Sequence, residues 1–158
     1  MLTDLERRSV ACERELLTLL TAFPDDFRLS ADRITEIEWV DPRHEAIAWA
    51  VLATPEGASP AEAMDAARVC PEAASLVSAG RISATSKHPT ETNIVFMLDT
   101  LELYTVRRRM KAVQGRLRSD RTLSAQDRRS LTIQASQDAA RARELAAAVE
   151  GVADPFRS

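Results

Sequence analysis

The sequence predicts an all-α protein, a small orthogonal helical bundle followed by a long C-terminal helical hairpin. Hydrophobic residues make up 45% of the 158-residue chain but aromatics only 4%, and an alanine- and leucine-rich composition of this kind favours helix over sheet. Residues 1–88 fall into short apolar-periodic segments punctuated by prolines, with no two-residue alternation to suggest strands. Residues 89–151 then read as two long helices around one turn, with too few large apolar residues to be buried on every side.

The first helix is expected from about Leu2 to Phe23, with Leu5, Leu16, Leu17, Leu19 and Leu20 on its apolar face and Pro24 closing it. A short helix over Ala31 to Ile37 follows, capped by Ser30. Asp41 is a good N-cap with Pro42 at the first helical position, which predicts a helix over Arg43 to Ala53 with Ile47, Val51 and Leu52 inward. Ser59-Pro60-Ala61-Glu62 combines a capping hydroxyl, a first-position proline and a glutamate able to reach back to the serine's N–H, and predicts a helix from Pro60 to about Val69. Another short helix should run from Pro71 toward Ser78, ended by Gly80.

Pro89, Thr90 or Thr92 starts the first hairpin helix, which runs to about Ser119 with Ile94, Leu98, Leu101, Tyr104, Met110, Val113 and Leu117 as one stripe and a wide gap after Tyr104. At ~1.5 Å per residue it extends roughly 45 Å, more than a small bundle needs, so part of it should project. Ser124 with Asp127 resembles a capping box and opens a second helix ending near Gly151. Its inner stripe, Leu131, Ala135, Ala142, Leu145 and Val149, buries little area per residue, so the tip should open easily in the free protein. Residues 152–158 are expected to be a frayed tail.

The charge balance, 21 basic against 24 acidic residues for a net −3, does not mark the whole chain as a nucleic-acid binder. No run approaches the ~20 apolar residues that span a bilayer, and Met1 to Arg8 is too charged for a secretory leader, so a cytoplasmic protein without membrane contact is expected. Cys12 and Cys70 lack metal-ligand spacing and read as buried free thiols. His44 reads as a surface or helix-start residue, His88 as a pre-proline loop residue, and Asp25-Asp26 as solvated; none assembles into a metal pair. With four glycines and no glycine-rich phosphate loop, no cofactor and no catalytic site are expected. Arg107, Arg108, Arg109, Lys111, Arg116, Arg118 and Arg121 crowd the distal half of the first hairpin helix. They suit phosphate groups, or else form a solvated face partly neutralised by Asp120, Asp127 and carboxylates of the second helix. No aromatic residue is interleaved to stack on bases, and sequence-specific nucleic-acid binding is not expected.

Glu13-Arg14-Glu15-Leu16-Leu17-Thr18-Leu19-Leu20 with Phe23-Pro24, then Trp39-Val40-Asp41-Pro42-Arg43-His44-Glu45-Ala46-Ile47, then Thr92 to Leu103 feeding a charged hairpin, resembles the C-terminal domain of bacterial DnaG-type primases. The likeness covers nearly the whole chain, and its specificity lies in the order and spacing of the motifs. It implies a helical bundle with a helical hairpin that docks on the N-terminal domains of the hexameric replicative helicase during primer synthesis. The polymerase core, a DNA-directed RNA polymerase, would lie elsewhere in a longer parent protein. The helicase's own N-terminal domain shares this fold and is the nearest alternative; the terminal position of the hairpin and its long basic helix lean toward primase. An independent helical nucleic-acid-binding module is a further alternative. For helicase contact the expectation falls on Ile133, Gln137, Arg141 and Glu144, off the inner stripe, with Val149, Val152 and Phe156 as apolar anchors; Ile133 packing on the first hairpin helix is the plainer structural reading. The resemblance also implies that Arg14, with Arg7 or Arg8 one and a half to two turns earlier, receives the acidic C-terminal tail of single-stranded-DNA-binding protein. Pairing of Arg14 with Glu13 or Glu15 is the alternative.

Overall fold

The computed structural model describes residues 1–78 and 88–151, and among these it contains helices and no strand. In chain order they are α1 (Asp4–Ala22), a 3₁₀ segment (Pro24–Ser30), α2 (Ala31–Thr35), α3 (Pro42–Leu52), α4 (Pro60–Ala67), α5 (Ala73–Val77), α6 (Glu91–Ser119) and α7 (Ala125–Gly151). The architecture is all-α, a small bundle followed by a long helical pair.

Most helix starts follow their local chemistry. The Asp41 carboxylate accepts from the Arg43 N–H at 2.9 Å, with Pro42 opening α3. Thr90 and Asn93 form a reciprocal capping box on α6, and Ser124 Oγ accepts from the Asp127 N–H at 3.0 Å on α7. Thr3 and Glu6 form a further box that opens α1 two residues later than Leu2. Ser59 caps α4 as expected, but the Glu62 carboxylate accepts from the serine hydroxyl rather than reaching its backbone N–H.

Several boundaries differ from expectation. Pro24 does not open a loop; the chain continues as a 3₁₀ turn into α2, so Ser30 sits inside a hydrogen-bonded run and its side chain caps nothing. α2 stops at Thr35 and α4 at Ala67, each short of the expected end because 3₁₀-type bonds tighten the last turn, and α5 opens at Ala73, two residues after Pro71. Gly80 and the tail 152–158 lie outside the described residues.

The main core gathers Leu16, Leu17 and Leu20 of α1, Phe27, Ile34, Ile47 and Val51, Ala63 and Ala67, and Leu76. Ile94, Met97, Leu98 and Leu101 of α6 belong to it as well. At about 1.5–3 kcal/mol per fully buried large side chain, this cluster dominates the stability of the molecule. α6 then turns a second apolar stripe toward α7, where Leu103, Val106 and Leu145 are buried beside half-buried Met110, Ala142 and Ala146. The single stripe read from the sequence is thus two stripes, and Tyr104 is not on the α7 side. It lies half-buried beside Cys12 and Arg8 of α1, and desolvation pushes its phenol above the ordinary range.

α7 packs on α6, and among the described residues no other element offers it a comparable interface. Arg108 donates to the Glu38 carbonyl and Arg109 reaches the Glu38 carboxylate at 3.4 Å. Among the described residues, the hydrogen bonds made by the hairpin beyond Arg109 are internal to it. At the turn Asp120 accepts from the Thr122 N–H at 2.9 Å, while Arg128 donates to the carbonyls of Leu117 and Asp120, both at 3.1 Å.

Candidate docking surface

α7 turns a narrow stripe inward and leaves most of its circumference to solvent. Ile133 is 59% exposed, so it does not pack on α6. Gln137, one turn on, is exposed, and so is Glu144, about two turns further along the same outer side. An apolar side chain flanked by hydrogen-bonding groups is the composition of a contact patch. Val149 is half-buried and belongs to the inner side, while Val152 and Phe156 lie outside the described residues.

Arg141 has a different occupation. Its guanidinium is 2.5 Å from Glu102 of α6 and 3.2 Å from Glu144 of α7, which holds its pKa above the ordinary value despite some desolvation. It is a clasp between the hairpin helices whose side chain stays 42% exposed. A cleft of about 310 Å³ lies beside it, lined by Arg33, Ile37, Leu98, Glu102 and Arg109 among others. Its other cations are engaged too, Arg33 with Asp99 at 2.9 Å and Arg109 with Asp138 at 3.2 Å.

Val106, buried against α7, fills the wide gap in the sequence stripe, and the Arg109–Asp138 pair continues the same face. Asp138 is 7% exposed and takes two bonds from Arg109, Nε to Oδ2 and Nη2 to Oδ1, each 3.2 Å. A search for apolar periodicity skips such a position; the signal available was an arginine and an aspartate, each at a stripe position of its own helix.

On α1 the three arginines are not gathered into one clamp. Arg7 is held by Asp4 and by the Leu2 carbonyl, Arg8 is exposed, and Arg14 is half-buried with an Nε that finds no partner among the described residues. Glu13 is not available to Arg14. It is fully buried and accepts from the N–H groups of Val40 at 2.7 Å and Asp41 at 3.3 Å, and its Oε1 lies 2.8 Å from His44 Nδ1. His44 is likewise fully buried, with Nε2 3.6 Å from Asp41. Of the two roles expected of His44, the helix start holds and the surface position does not: helix α3 starts against α1, and the imidazole closes the space between them. Hydrogen bonds from Arg43 are the main force holding Asp41 low, at about 2.

The other polar candidates are also structural. Asp25 accepts from the Gly57 N–H at 3.0 Å, pinning a turn in which Gly57 has φ +85, and it pairs with Arg28. Asp26 bonds His88 Nδ1 at 2.8 Å, with the imidazole 4.3 Å from the Phe23 ring. These contacts correct the reading of the two aspartates as merely solvated. Both cysteines are free; Cys70 is buried and Cys12 half-buried, and desolvation together with Glu13 and Glu15 pushes the Cys12 thiol to about 12. Among the described residues no group of His, Cys, Asp and Glu is placed to hold a metal ion, and no helix is long and apolar enough to cross a membrane.

Comparison with protein-family models, with curated proteins and with solved structures finds no match. The geometry of the chain itself is what bears on function, and it offers an arm with an unpartnered outer face.

Proposed function

We propose that this chain is a non-catalytic, cytoplasmic helicase-docking domain of the kind found in bacterial DnaG-type primases, and that its partner is the N-terminal region of the replicative hexameric helicase. One observation supports this most: α7 is attached along one side, to α6, and presents Ile133 to solvent among polar neighbours. A helix carried this way can lie in a groove of a larger body without disturbing the core beneath it. The order of elements, a bundle and then a hairpin with a long basic first helix, agrees with the resemblance carried by the sequence motifs. Docking would hold a tethered polymerase near unwound template and raise its effective concentration there.

The test is calorimetric titration of the hexameric helicase with the full chain and with Ile133→Asp. Ile133 is mostly exposed, so the variant should keep its helicity and bind at least ~10-fold more weakly, the loss of one apolar anchor. Absence of binding by the unaltered chain, or equal affinity of the variant, overturns the assignment. Arg141→Glu is the poorer probe, because it also opens the clasp to Glu102.

The resemblance implies a second contact, of half-buried Arg14 with the acidic tail of single-stranded-DNA-binding protein. A tail peptide that leaves the amide signals around Arg14 unmoved would remove it.

A further inference from the structure

The distal hairpin is far more basic than the chain that carries it. From Arg107 to Arg143 there are eleven arginines and lysines against three aspartates, a net +8 in a protein whose total is −3. The structure separates these cations into two sets. Arg109 and Arg141 are consumed by Asp138, Glu38, Glu102 and Glu144, Arg116 lies 3.9 Å from Asp120, and Arg108 and Arg128 donate to backbone carbonyls. Arg107, Lys111, Arg118, Arg121, Arg129 and Arg143 are exposed and make no ion pair among the described residues. The cluster is therefore neutralised only in part; the carboxylates of the second helix answer the arginines on the flank where Glu102 and Asp138 sit.

Arg107, Lys111 and Arg118 recur at four and seven residues, so they line one side of α6. The side chains that engage α7, among them Glu102, Val106 and Arg109, lie on other parts of its circumference. At ~1.5 Å per residue the row spans roughly 16 Å on a straight rod, about five steps of a duplex at ~3.4 Å per phosphate along one strand. No aromatic residue occurs from residue 105 to 151. Single strands are held by base stacking as well as charge, whereas a duplex keeps its bases to itself and presents phosphates alone.

From this we infer that the Arg107–Lys111–Arg118 side of the hairpin binds the phosphate backbone of a nucleic-acid duplex, without regard to sequence. The contact is independent of the helicase reading, since it uses α6 while that reading uses the outer side of α7. Each cation in register displaces a condensed counterion, so affinity is governed by salt. Bound to its partner through α7, the domain would still have this edge free for a nearby duplex.

The experiment is a fluorescence-anisotropy titration of the full chain into a labelled 20-base-pair DNA at 50 and 200 mM salt. Three displaced counterions give a log–log slope near −2.7 and roughly a 40-fold loss of affinity over that range. The Arg107→Gln/Lys111→Gln/Arg118→Gln variant should lose most of its binding at 50 mM and flatten the slope. It should also keep its circular-dichroism spectrum, and it should titrate the helicase as the unaltered chain does. A single strand of equal length should bind more weakly. No duplex binding at 50 mM, salt-independent binding, an unaffected triple variant, or a preference for single strand, for phosphatidylserine vesicles or for a glutamate-rich peptide each overturns the inference.

Discussion

Leu145→Ala tests how far the hairpin is a separate cooperative unit. Leu145 is 2% exposed and is the only large side chain that α7 buries fully among the described residues; its apolar neighbours there, Ala142 and Ala146, are small and half-buried. Removing its three outer carbons loses their transfer free energy and leaves a gap between Leu103 and Val106. Leucine truncations cost about 2–5 kcal/mol, and here the cost should fall at the lower end, about 2–3 kcal/mol, because the site lies between two helices that can close on it. No comparable interface ties α7 to the bundle, so the loss should be felt by α7 rather than by the main core. Hydrogen exchange of the intact protein, read by mass spectrometry, resolves the two. Peptides from α7 should open roughly 30- to 160-fold more often, the equivalent of 2–3 kcal/mol, with Leu16 to Leu20 of α1 unchanged. Equal loss of protection in α1 and α7 would refute the reasoning, because it would mean that hairpin and bundle unfold as one.

The Arg109–Asp138 pair predicts a non-additive result. Asp138→Ala should destabilise by about 1–3 kcal/mol, whereas Arg109→Met with Asp138→Leu should be neutral or stabilising in urea denaturation, since the pair then extends the apolar stripe; a double variant weaker than Asp138→Ala would contradict this. Glu13→Ala strands the N–H groups of Val40 and Asp41 and the buried His44, and should cost about 3 kcal/mol or more, with Glu13→Gln recovering part of it in the same assay. Asp41 has a folded pKa of about 2, below the ~3.9 of an unfolded aspartate, so its stabilisation is present above the latter and lost as pH falls through the former. The lead of the unaltered protein over Asp41→Asn, about 1 kcal/mol, should be full at pH 5 and shrink toward pH 2; a lead constant over that range would speak against it.

The sequence was readable where a feature is decided by neighbours. Asp41-Pro42, Ser59-Pro60, Thr90 and Ser124 each cap the helix that follows, because a side-chain oxygen and the N–H groups it satisfies lie within three residues. It was unreadable where the partner is remote. Glu13 and His44 are 31 residues apart, and neither segment alone says that a carboxylate at an otherwise apolar helix position has donors waiting in the α2–α3 connection. Tyr104 keeps the α1 side with Ile94, Leu98 and Leu101, but Leu103 and Val106, which face α7, were left out of the stripe, because α6 carries two stripes at an angle, which a single periodicity merges. At the docking surface, the exposure of Ile133 followed the helical period, but the engagement of Arg141 did not, since its partner Glu102 sits on the other helix.

α6 runs unbroken from Glu91 to Ser119, and its opening turns are locked among the side chains of the main core. Arg108 and Arg109, bonded to Glu38, are thus the last bolts of a mounting, and the stretch from there to the tip is a lever roughly 15 Å long at ~1.5 Å per residue. A load applied at the turn near Asp120 must arrive at Ile94, Met97 and Leu98 as torque, because no hinge intervenes to dissipate it. Whatever seizes the far end of this protein therefore also has mechanical purchase on its centre.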